Sequence, residues 1–240
     1  MPEYRSELLS KAEVAEGTMA FHFRKPDGLE FRAGQAIDLT LIDPAESDAE
    51  GNIRTFSLAS APAEPELMVA TRMRDTAFKR TLKAAPTGLE VKLEGPSGSL
   101  TLHRNADKAA VLIAGGIGIT PFRSMVLQAA RERLNQQIYL FYSNRRPEDA
   151  AFLSELEMAA SANANFHLIA TMTAMGDSGR QWSGERGKFD AEMLRRHLSS
   201  LDGPIYYIAG PPGMVASMRD VLVKAGVDED DIRSEDFAGY

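Results

Sequence analysis

The pattern of apolar and polar residues changes near the middle of the chain. Up to about residue 105, short runs alternate apolar and polar residues, as at residues 18–24 and 37–41, which is typical of half-buried antiparallel strands. From Lys108 onward, runs such as Val111–Ala114 are apolar without alternation, as expected for strands buried on both faces of a parallel sheet. The pattern therefore predicts an antiparallel β-barrel over residues 1–105, followed by a parallel-sheet α/β domain over residues 106–240.

The individual elements follow from the same periodicities and from the turn residues between them. In the first half we predict a strand end at residues 13–16, strands at residues 18–24, 37–41, 53–60, 67–73 and 88–94, and a short helix at residues 77–84. In the second half, predicted strands at 110–114, 137–142, 166–171 and 205–209 alternate with predicted helices at 122–134, 149–160, 190–197 and 213–225. Residues 95–99 are predicted to be a turn that ends the first half.

Three glycines follow the first buried strand of the second half, at Gly115, Gly116 and Gly118, and Pro121 stands where a helix would begin. Bare backbone N–H groups next to the positive end of a helix dipole form a cradle that suits phosphate groups. The alternative is a strand-to-helix turn that is merely tight. We favour the phosphate interpretation, although the spacing is not the Gly-x-Gly-x-x-Gly fingerprint.

Two charged stretches lie in the first half. Residues 43–52 are acidic and are most simply interpreted as a solvated connection. Five cations follow within twelve residues, with one acid, Asp75, among them: Arg72, Arg74, Lys79, Arg80 and Lys83. This basic cluster is either a solvated helix face, a pyrophosphate site, or a docking surface for an anionic partner.

Composition narrows the possible functions. The 240 residues are 44% hydrophobic, enough to bury a core, and contain no cysteine, which excludes disulfides and thiolate-held clusters and fits a reducing compartment. A net charge of −7 argues against nucleic-acid binding. Neither a signal peptide nor a membrane span is predicted, so we expect a cytoplasmic protein. The histidines share no metal-ligand spacing, and we predict no metal site.

With these residues in view, the chain resembles the ferredoxin–NADP reductase superfamily of flavoproteins over nearly its whole length. Five motifs occur in the order that this family shows. They are Arg54-Thr55-Phe56-Ser57, Gly95-Pro96-Ser97-Gly98, the run from Gly115 to Pro121, the run from Ala209 to Met214, and Glu235-Asp236-Phe237.

The resemblance implies a flavin-binding barrel, a nicotinamide-nucleotide domain, and the cofactors FAD and NAD(P)H. Arg54 would hold the flavin phosphate, Phe56 would lie against the isoalloxazine ring, and Ser57 would hydrogen-bond near the flavin N5. Glu235 and Phe237 match an acidic–aromatic pair beside the flavin. We predict Ser57, Glu235 and Phe237 as catalytic.

Further cofactor contacts are implied for both domains. In the barrel, six residues would contact the ribityl and phosphate groups of the flavin, partly through their backbone atoms: Thr55, Thr71, Met73, Thr76, Phe78 and Lys79. In the α/β domain the nucleotide would be met by Gly115, Gly116, Gly118, Thr120, Ser143, Arg145, Gly210, Pro211 and Met214. Arg145 would face the adenosine ribose, where a guanidinium suits a 2′-phosphate, which favours NADPH slightly over NADH.

The sequence departs from the family at two places. Ala209 stands where the family often has the cysteine that helps to position the nicotinamide, which predicts slower or differently shaped hydride transfer. The chain also continues past Phe237, so either Phe237 or Tyr240 could be the ring that covers the flavin.

Three functions stay open at this point. The first is a reductase that passes electrons from NAD(P)H through FAD to a soluble one-electron acceptor such as a ferredoxin, a flavodoxin or an oxygenase component. The second is a flavin or ferric reductase for which flavin is a dissociable substrate. The third is a subunit that binds flavin without turnover. The oligomeric state is not readable from the sequence.

Overall fold

The computed structural model describes residues 1–237 and contains two sheets of six strands each. The first sheet is antiparallel throughout, in the spatial order β4-β3-β6-β1-β2-β5. Its strands are β1 (Glu3–Ala15), β2 (Thr18–Arg24), β3 (Ala36–Leu41), β4 (Ile53–Ser57), β5 (Glu66–Arg72) and β6 (Glu90–Ser97). One helix, α1 (Ala77–Ala84), follows β5.

The two edges of this sheet curl toward each other, as expected for the predicted barrel. Just beyond β4, the backbone N–H of Ala59 donates to the carbonyl of Met68 in β5 at 2.8 Å. The interior is filled by inward-facing residues of all six strands together with Phe78 and Leu82 of α1. The predicted fold class is confirmed for this half.

The second sheet is parallel throughout, in the order β10-β9-β8-β7-β11-β12. Its strands are β7 (Ala110–Gly115), β8 (Ile138–Asn144), β9 (Phe166–Met172), β10 (Glu185–Arg186), β11 (Ile205–Gly210) and β12 (Ile232–Asp236). Four helices connect them, α2 (Ile119–Glu132), α3 (Leu153–Ala162), α4 (Ala191–His197) and α5 (Pro212–Lys224).

Helices cover both faces of the parallel sheet, which explains the apolar strands without alternation. Alternate residues of β7 enter two separate cores: Leu112 and Ala114 face α2 and α3, whereas Val111 and Ile113 face α4 and α5. The spatial order reverses between β7 and β11, and ligands of open α/β sheets bind at such a switch point. The predicted class of this half is confirmed.

Several boundaries differ from the sequence prediction. Strand β6 runs through Gly95-Pro96-Ser97, which we had predicted to be a turn, and its pairing with β3 slips between Ala36 and Asp38. Strand β1 begins at Glu3, ten residues before the predicted strand end, and the short β10 and β12 were not predicted. The domain boundary after residue 105 falls between β6 and β7 and stays a prediction.

The two halves meet along α2. Arg123 is 5% exposed, and its guanidinium donates to the carbonyl of Ala59 at 2.7 Å and to the carboxylates of Glu64 and Glu155. The hydroxyl of Ser124 donates to the carbonyl of Ser60 at 2.7 Å. One helix of the α/β half thus holds the chain that leaves β4 in the barrel half.

No helix within residues 1–237 combines the length and the apolar character that a membrane crossing would need.

Candidate functional site

A cavity of about 620 Å³ lies between the two halves. Its walls come from β4, from the segment between β5 and α1, from the start of α2 and from the end of β12. The lining residues are Glu50, Arg54, Thr55, Phe56, Ser57, Ala70, Thr71, Arg74, Thr76, Lys79, Thr120, Glu235, Asp236 and Phe237. Ten of these belong to the predicted site, and they come from widely separated parts of the sequence.

Arg54 is the most firmly held cation of the cavity. Its side chain is 18% exposed, and one guanidinium nitrogen donates to the carbonyls of Glu50, Gly51 and Ile53. The other nitrogen donates to the carboxylate of Glu50 at 2.8 Å. The guanidinium carbon also lies 5.1 Å from the ring centre of Phe78, a cation–π distance. Arg54 is therefore fixed in place by protein groups.

The acidic stretch at residues 43–52 is a largely exposed connection between β3 and β4, and it also makes specific contacts that its sequence did not predict. Asp48 accepts a hydrogen bond from the backbone N–H of Ala77, the first residue of α1, at 2.8 Å. This bond holds the pKa of Asp48 below its usual range. Glu46 pairs with Arg80, and Glu50 pairs with Arg54. We call residues 43–52 the acidic strap, because it lies across α1 and the Arg54 side chain.

The acidic strap also pairs with part of the basic cluster. Arg80 is paired with Glu46 and Asp75, and Lys79 donates to the carbonyl of Arg72 at 2.9 Å. Desolvation lowers the pKa of Lys79, and the neighbouring cations Arg74 and Arg54 lower it further. The cluster is thus partly neutralised from within the chain, a result that its local sequence could not show.

The aromatic residues of the predicted site play different structural parts. Phe56 lines the cavity, and its ring centre lies 6.0 Å from that of Phe78. Phe78 is 1% exposed and belongs to the barrel core. Burial prevents Phe78 from contacting a ligand through its ring, so it supports Phe56 and Arg54 from behind.

The hydroxyl groups of β4 and β5 differ in their availability. The hydroxyl of Thr55 donates to Asp38, and that of Thr71 lies 3.4 Å from the carbonyl of Arg72. Ser57 is 8% exposed and lines the cavity, and its hydroxyl has no hydrogen-bond partner among residues 1–237. Ser57 therefore presents a hydroxyl that can hydrogen-bond a molecule in the cavity.

The end of β12 closes the other side of the cavity. Burial raises the pKa of Glu235, and the neighbouring carboxylate of Asp236 raises it further. The backbone N–H of Phe237 donates to the carbonyl of Gly210 at 3.0 Å, and the Phe237 ring packs beside the small apolar cluster that includes Ala59 and Ile117. Tyr240, the other predicted covering ring, lies outside the described residues.

The glycine turn after β7 serves two different purposes. A Cβ atom on Gly118 would lie 2.2 Å from the carbonyl oxygen of Ala209, so this glycine allows close packing against β11. Gly116 has a φ of +54° with nothing within 4 Å of a Cβ, so it faces open space. Thr120 lines the cavity, although its hydroxyl donates to the carbonyl of Ile117 at 3.1 Å.

The remaining predicted nucleotide contacts sit at the carboxyl edge of the parallel sheet. Gly115 lies at the end of β7 next to Met214. A Cβ atom on Gly115 would lie 2.8 Å from Cε of the Met214 side chain. Ser143 lies at the end of β8, and the exposed Arg145 follows it, with its guanidinium 3.7 Å from Asp177. Gly115 and Ser143 thus end neighbouring parallel strands, and Thr120, which follows the same glycine turn, lines the cavity.

Not every predicted residue lines the cavity. Those outside its lining are Met73, Phe78, Gly115, Gly116, Gly118, Ser143, Arg145, Gly210, Pro211 and Met214. Three charged lining residues were not in the predicted site, namely Glu50, Arg74 and Asp236. Arg74 was part of the basic cluster, whereas Glu50 carried no local signal. Within residues 1–237, no cluster of three histidine or acidic side chains is placed to hold a metal ion.

The chain is similar in sequence and in fold to known proteins. The family model described as "Oxidoreductase NAD-binding domain" matches residues 112–220. Ferredoxin--NADP reductase B of Sorangium cellulosum is 28% identical over 228 residues, covering 91% of this chain and 90% of that protein. The flavohemoprotein of Bacillus subtilis is 24% identical over 98% of this chain, which spans only 59% of that protein.

A solved structure shows the same fold at low identity. The ferredoxin NADP+ reductase from Neisseria gonorrhoeae, determined with bound FAD and NADP, superimposes with a TM-score of 0.81 at 20% identity, covering 98% of both chains. The family model thus matches the parallel-sheet half, and the solved structure matches the whole two-sheet fold. The chain is thus similar to ferredoxin–NADP reductases in sequence and in fold.

Proposed function

We propose that this chain is an FAD-dependent NAD(P)H reductase that passes electrons to a separate one-electron acceptor protein, such as a ferredoxin, a flavodoxin or an oxygenase component. The observation that carries this proposal is the cavity itself. It brings Arg54, Phe56 and Ser57 of the barrel together with Thr120, at the start of the NAD-binding half, and Glu235.

The residues of the cavity fit a flavin nucleotide. Arg54, Arg74 and Lys79 cluster at one end, where a phosphate would be neutralised. Phe56 offers an apolar ring, and the free hydroxyl of Ser57 can bond a polar edge of the isoalloxazine. A bound flavin would accept two electrons from a reduced nicotinamide and release them one at a time.

The chain's own part in this reaction is to position the reactants. Ser57 would hold the reacting edge of the ring, and the carboxyl edge of the parallel sheet would present the nucleotide through Gly116, Thr120 and Arg145. Glu235 would supply a carboxyl group with a raised pKa beside that edge. Phe237 would limit access to the ring until the nicotinamide enters.

A flavin reductase with a dissociable flavin is the second candidate, and one observation favours it. The carboxylate of Glu50 already holds Arg54, so a flavin phosphate would have to compete for that guanidinium. A subunit without turnover draws support only from Ala209, which is fully buried in β11.

One experiment separates the three candidates. The absorbance spectrum of the purified protein is recorded, and NADH or NADPH is then added anaerobically. A retained flavin that is bleached supports the electron-transfer reductase and identifies its donor. A colourless protein that oxidises NAD(P)H only with added flavin supports the flavin reductase. A retained flavin that neither nucleotide bleaches would refute both reductase proposals. A cytoplasmic location stays a prediction that cell fractionation tests.

A further inference from the structure

The phosphate end of the cavity already contains carboxylates from the same chain. Glu50 reaches Arg54 at 2.8 Å, and Asp48 lies 3.6 Å from the same guanidinium nitrogen. Asp48 also accepts the hydrogen bond of the first N–H of α1. Guanidinium groups and free helix N–H groups are the donors that bind phosphate oxygens. The acidic strap therefore meets the donors that a flavin phosphate would use.

The charges of the cavity lining show which carboxylate would compete with a bound phosphate group. Three cations line it, Arg54, Arg74 and Lys79, against three acids, Glu50, Glu235 and Asp236. Glu235 and Asp236 lie on β12 and form no ion pair with these cations among residues 1–237, so Glu50 is the one acid of that lining that contacts a cation of the cavity. Its side chain is 67% exposed, so it can swing away from Arg54 into solvent at low cost.

Asp48 differs from Glu50 in its attachment. Its side chain is 31% exposed, and its two carboxylate oxygens accept from the backbone N–H groups of Ala77 and Glu50. The bond from Ala77 anchors the acidic strap to α1, and the bond from Glu50 fixes the turn within the strap. Glu50 is thus the movable acid on an anchored segment.

We propose that Glu50 acts as an internal anion that occupies Arg54 and competes with the phosphate group of the flavin, so that it sets how tightly the flavin is held. This inference rests on the proposed flavin site and names the residue that tunes it. A chain that keeps this competitor binds phosphorylated flavins more weakly than the same chain without it.

The test is the affinity of the flavin-free protein for FAD, FMN and riboflavin, measured by flavin fluorescence and by calorimetry. Glu50→Gln keeps the size of the side chain and removes its charge. We expect FAD and FMN to bind about two- to fivefold more tightly to this variant, because an exposed ion pair of modest strength no longer has to be broken. Riboflavin, which has no phosphate, should bind with unchanged affinity.

Glu46→Gln is the matched control. It removes one carboxylate from the same acidic strap, but Glu46 pairs with Arg80, which does not line the cavity. Its effect on FMN binding should be smaller than twofold. An equal gain in Glu46→Gln would show a general charge effect and overturn the role of Glu50.

Other outcomes also decide the matter. Unchanged or weaker FMN binding to Glu50→Gln would overturn the competition and leave Glu50 as a positioning residue for Arg54. An equal gain for riboflavin would overturn the phosphate assignment. If neither the original chain nor the variant binds any of the three flavins, the proposed function itself fails, and the inference fails with it.

Discussion

Replacing Gly118 by alanine tests how the glycine turn joins the two parts of the site. A Cβ atom at this position would lie 2.2 Å from the carbonyl oxygen of Ala209, 2.4 Å from its carbonyl carbon and 2.7 Å from the Cα of Gly210. All three are backbone atoms at the end of β11, so no side-chain rotation can relieve the clash. Either α2 or the end of β11 must move.

The size of the effect follows from that rigidity. Overpacking a filled interior costs typically 1–3 kcal/mol and occasionally more. Because the clash is with backbone, we expect Gly118→Ala to lower the free energy of unfolding of the α/β half by about 3 kcal/mol or more. The displaced α2 would also shift Thr120, so NAD(P)H affinity should fall with stability.

Gly116→Ala is the matched control, because it makes the same chemical change two residues away. Its Cβ would meet nothing within 4 Å, but its φ is +54°. The cost is then conformational alone, about 1–2 kcal/mol. The two variants change the entropy of the unfolded chain equally. Gly118 has an ordinary φ of −57°, so the difference between them is the cost of the contact with β11 less the conformational cost at Gly116.

Denaturant unfolding followed by tryptophan fluorescence measures this difference. Trp182 is the single tryptophan of the sequence and packs against the core of the parallel sheet, so its signal reports the α/β half. The unfolding midpoint should fall further for Gly118→Ala than for Gly116→Ala. Equal midpoints, or the reverse order, would refute the assignment of Gly118 to packing.

Three other substitutions test separate parts of the structure. Ser57→Ala should slow anaerobic flavin reduction by NAD(P)H about tenfold with little change in flavin affinity, since it removes one hydrogen bond at the reacting edge of the flavin. An unchanged reduction rate in stopped-flow absorbance would contradict that role of Ser57. Glu235→Gln should flatten the pH dependence of unfolding. The pKa of Glu235 is raised in the folded protein, so the unfolded chain loses this proton at a lower pH. Stability therefore falls as the pH rises from 4.5 toward the folded pKa. A pH profile of unfolding that Glu235→Gln leaves unaltered would contradict this burial effect. Arg123→Met should lower the free energy of unfolding by about 2 kcal/mol, because it leaves the carboxylates of Glu64 and Glu155 without their shared cation. An unfolding midpoint equal to that of the original chain would show that solvent replaces the lost interactions of these two carboxylates.

The sequence predicted those elements whose burial is regular along the chain. Residues of β7 are buried on both faces, and in β2 the buried Phe21 and Phe23 alternate with the half-buried His22 and the exposed Arg24. Both strands were therefore predicted near their observed bounds. The helix at Ala77–Ala84 was predicted because its cap and its apolar positions are local features. Strand β1 was predicted only at its end because its thirteen residues are mostly half-buried or exposed, which blurs the alternation.

Contacts between distant segments explain the rest. Nothing near Glu50 in sequence shows that it meets Arg54 in the site, and nothing near Arg123 shows that Glu64 and Glu155 will surround it. The Gly95-Pro96 pair reads as a turn locally, yet pairing with β3 extends the strand through it. The predicted roles of the site residues came from resemblance and stay predictions.

Helix α2 couples the two halves of the proposed site. Its first turn carries Thr120 into the cavity, and its next turn holds the carbonyls of Ala59 and Ser60 through Arg123 and Ser124. Ala59 lies two residues beyond Ser57 on the chain leaving β4, so a displacement of α2 moves the proposed nucleotide contact and the proposed flavin contact together. Because the proposed reaction needs the nicotinamide and the flavin in contact, a rigid link at this point would preserve their spacing when the outer parts of either half move. The buried cation at Arg123 therefore positions the barrel segment as well as stabilising the fold, since an apolar residue could fill the same space but would not hold the carbonyl of Ala59.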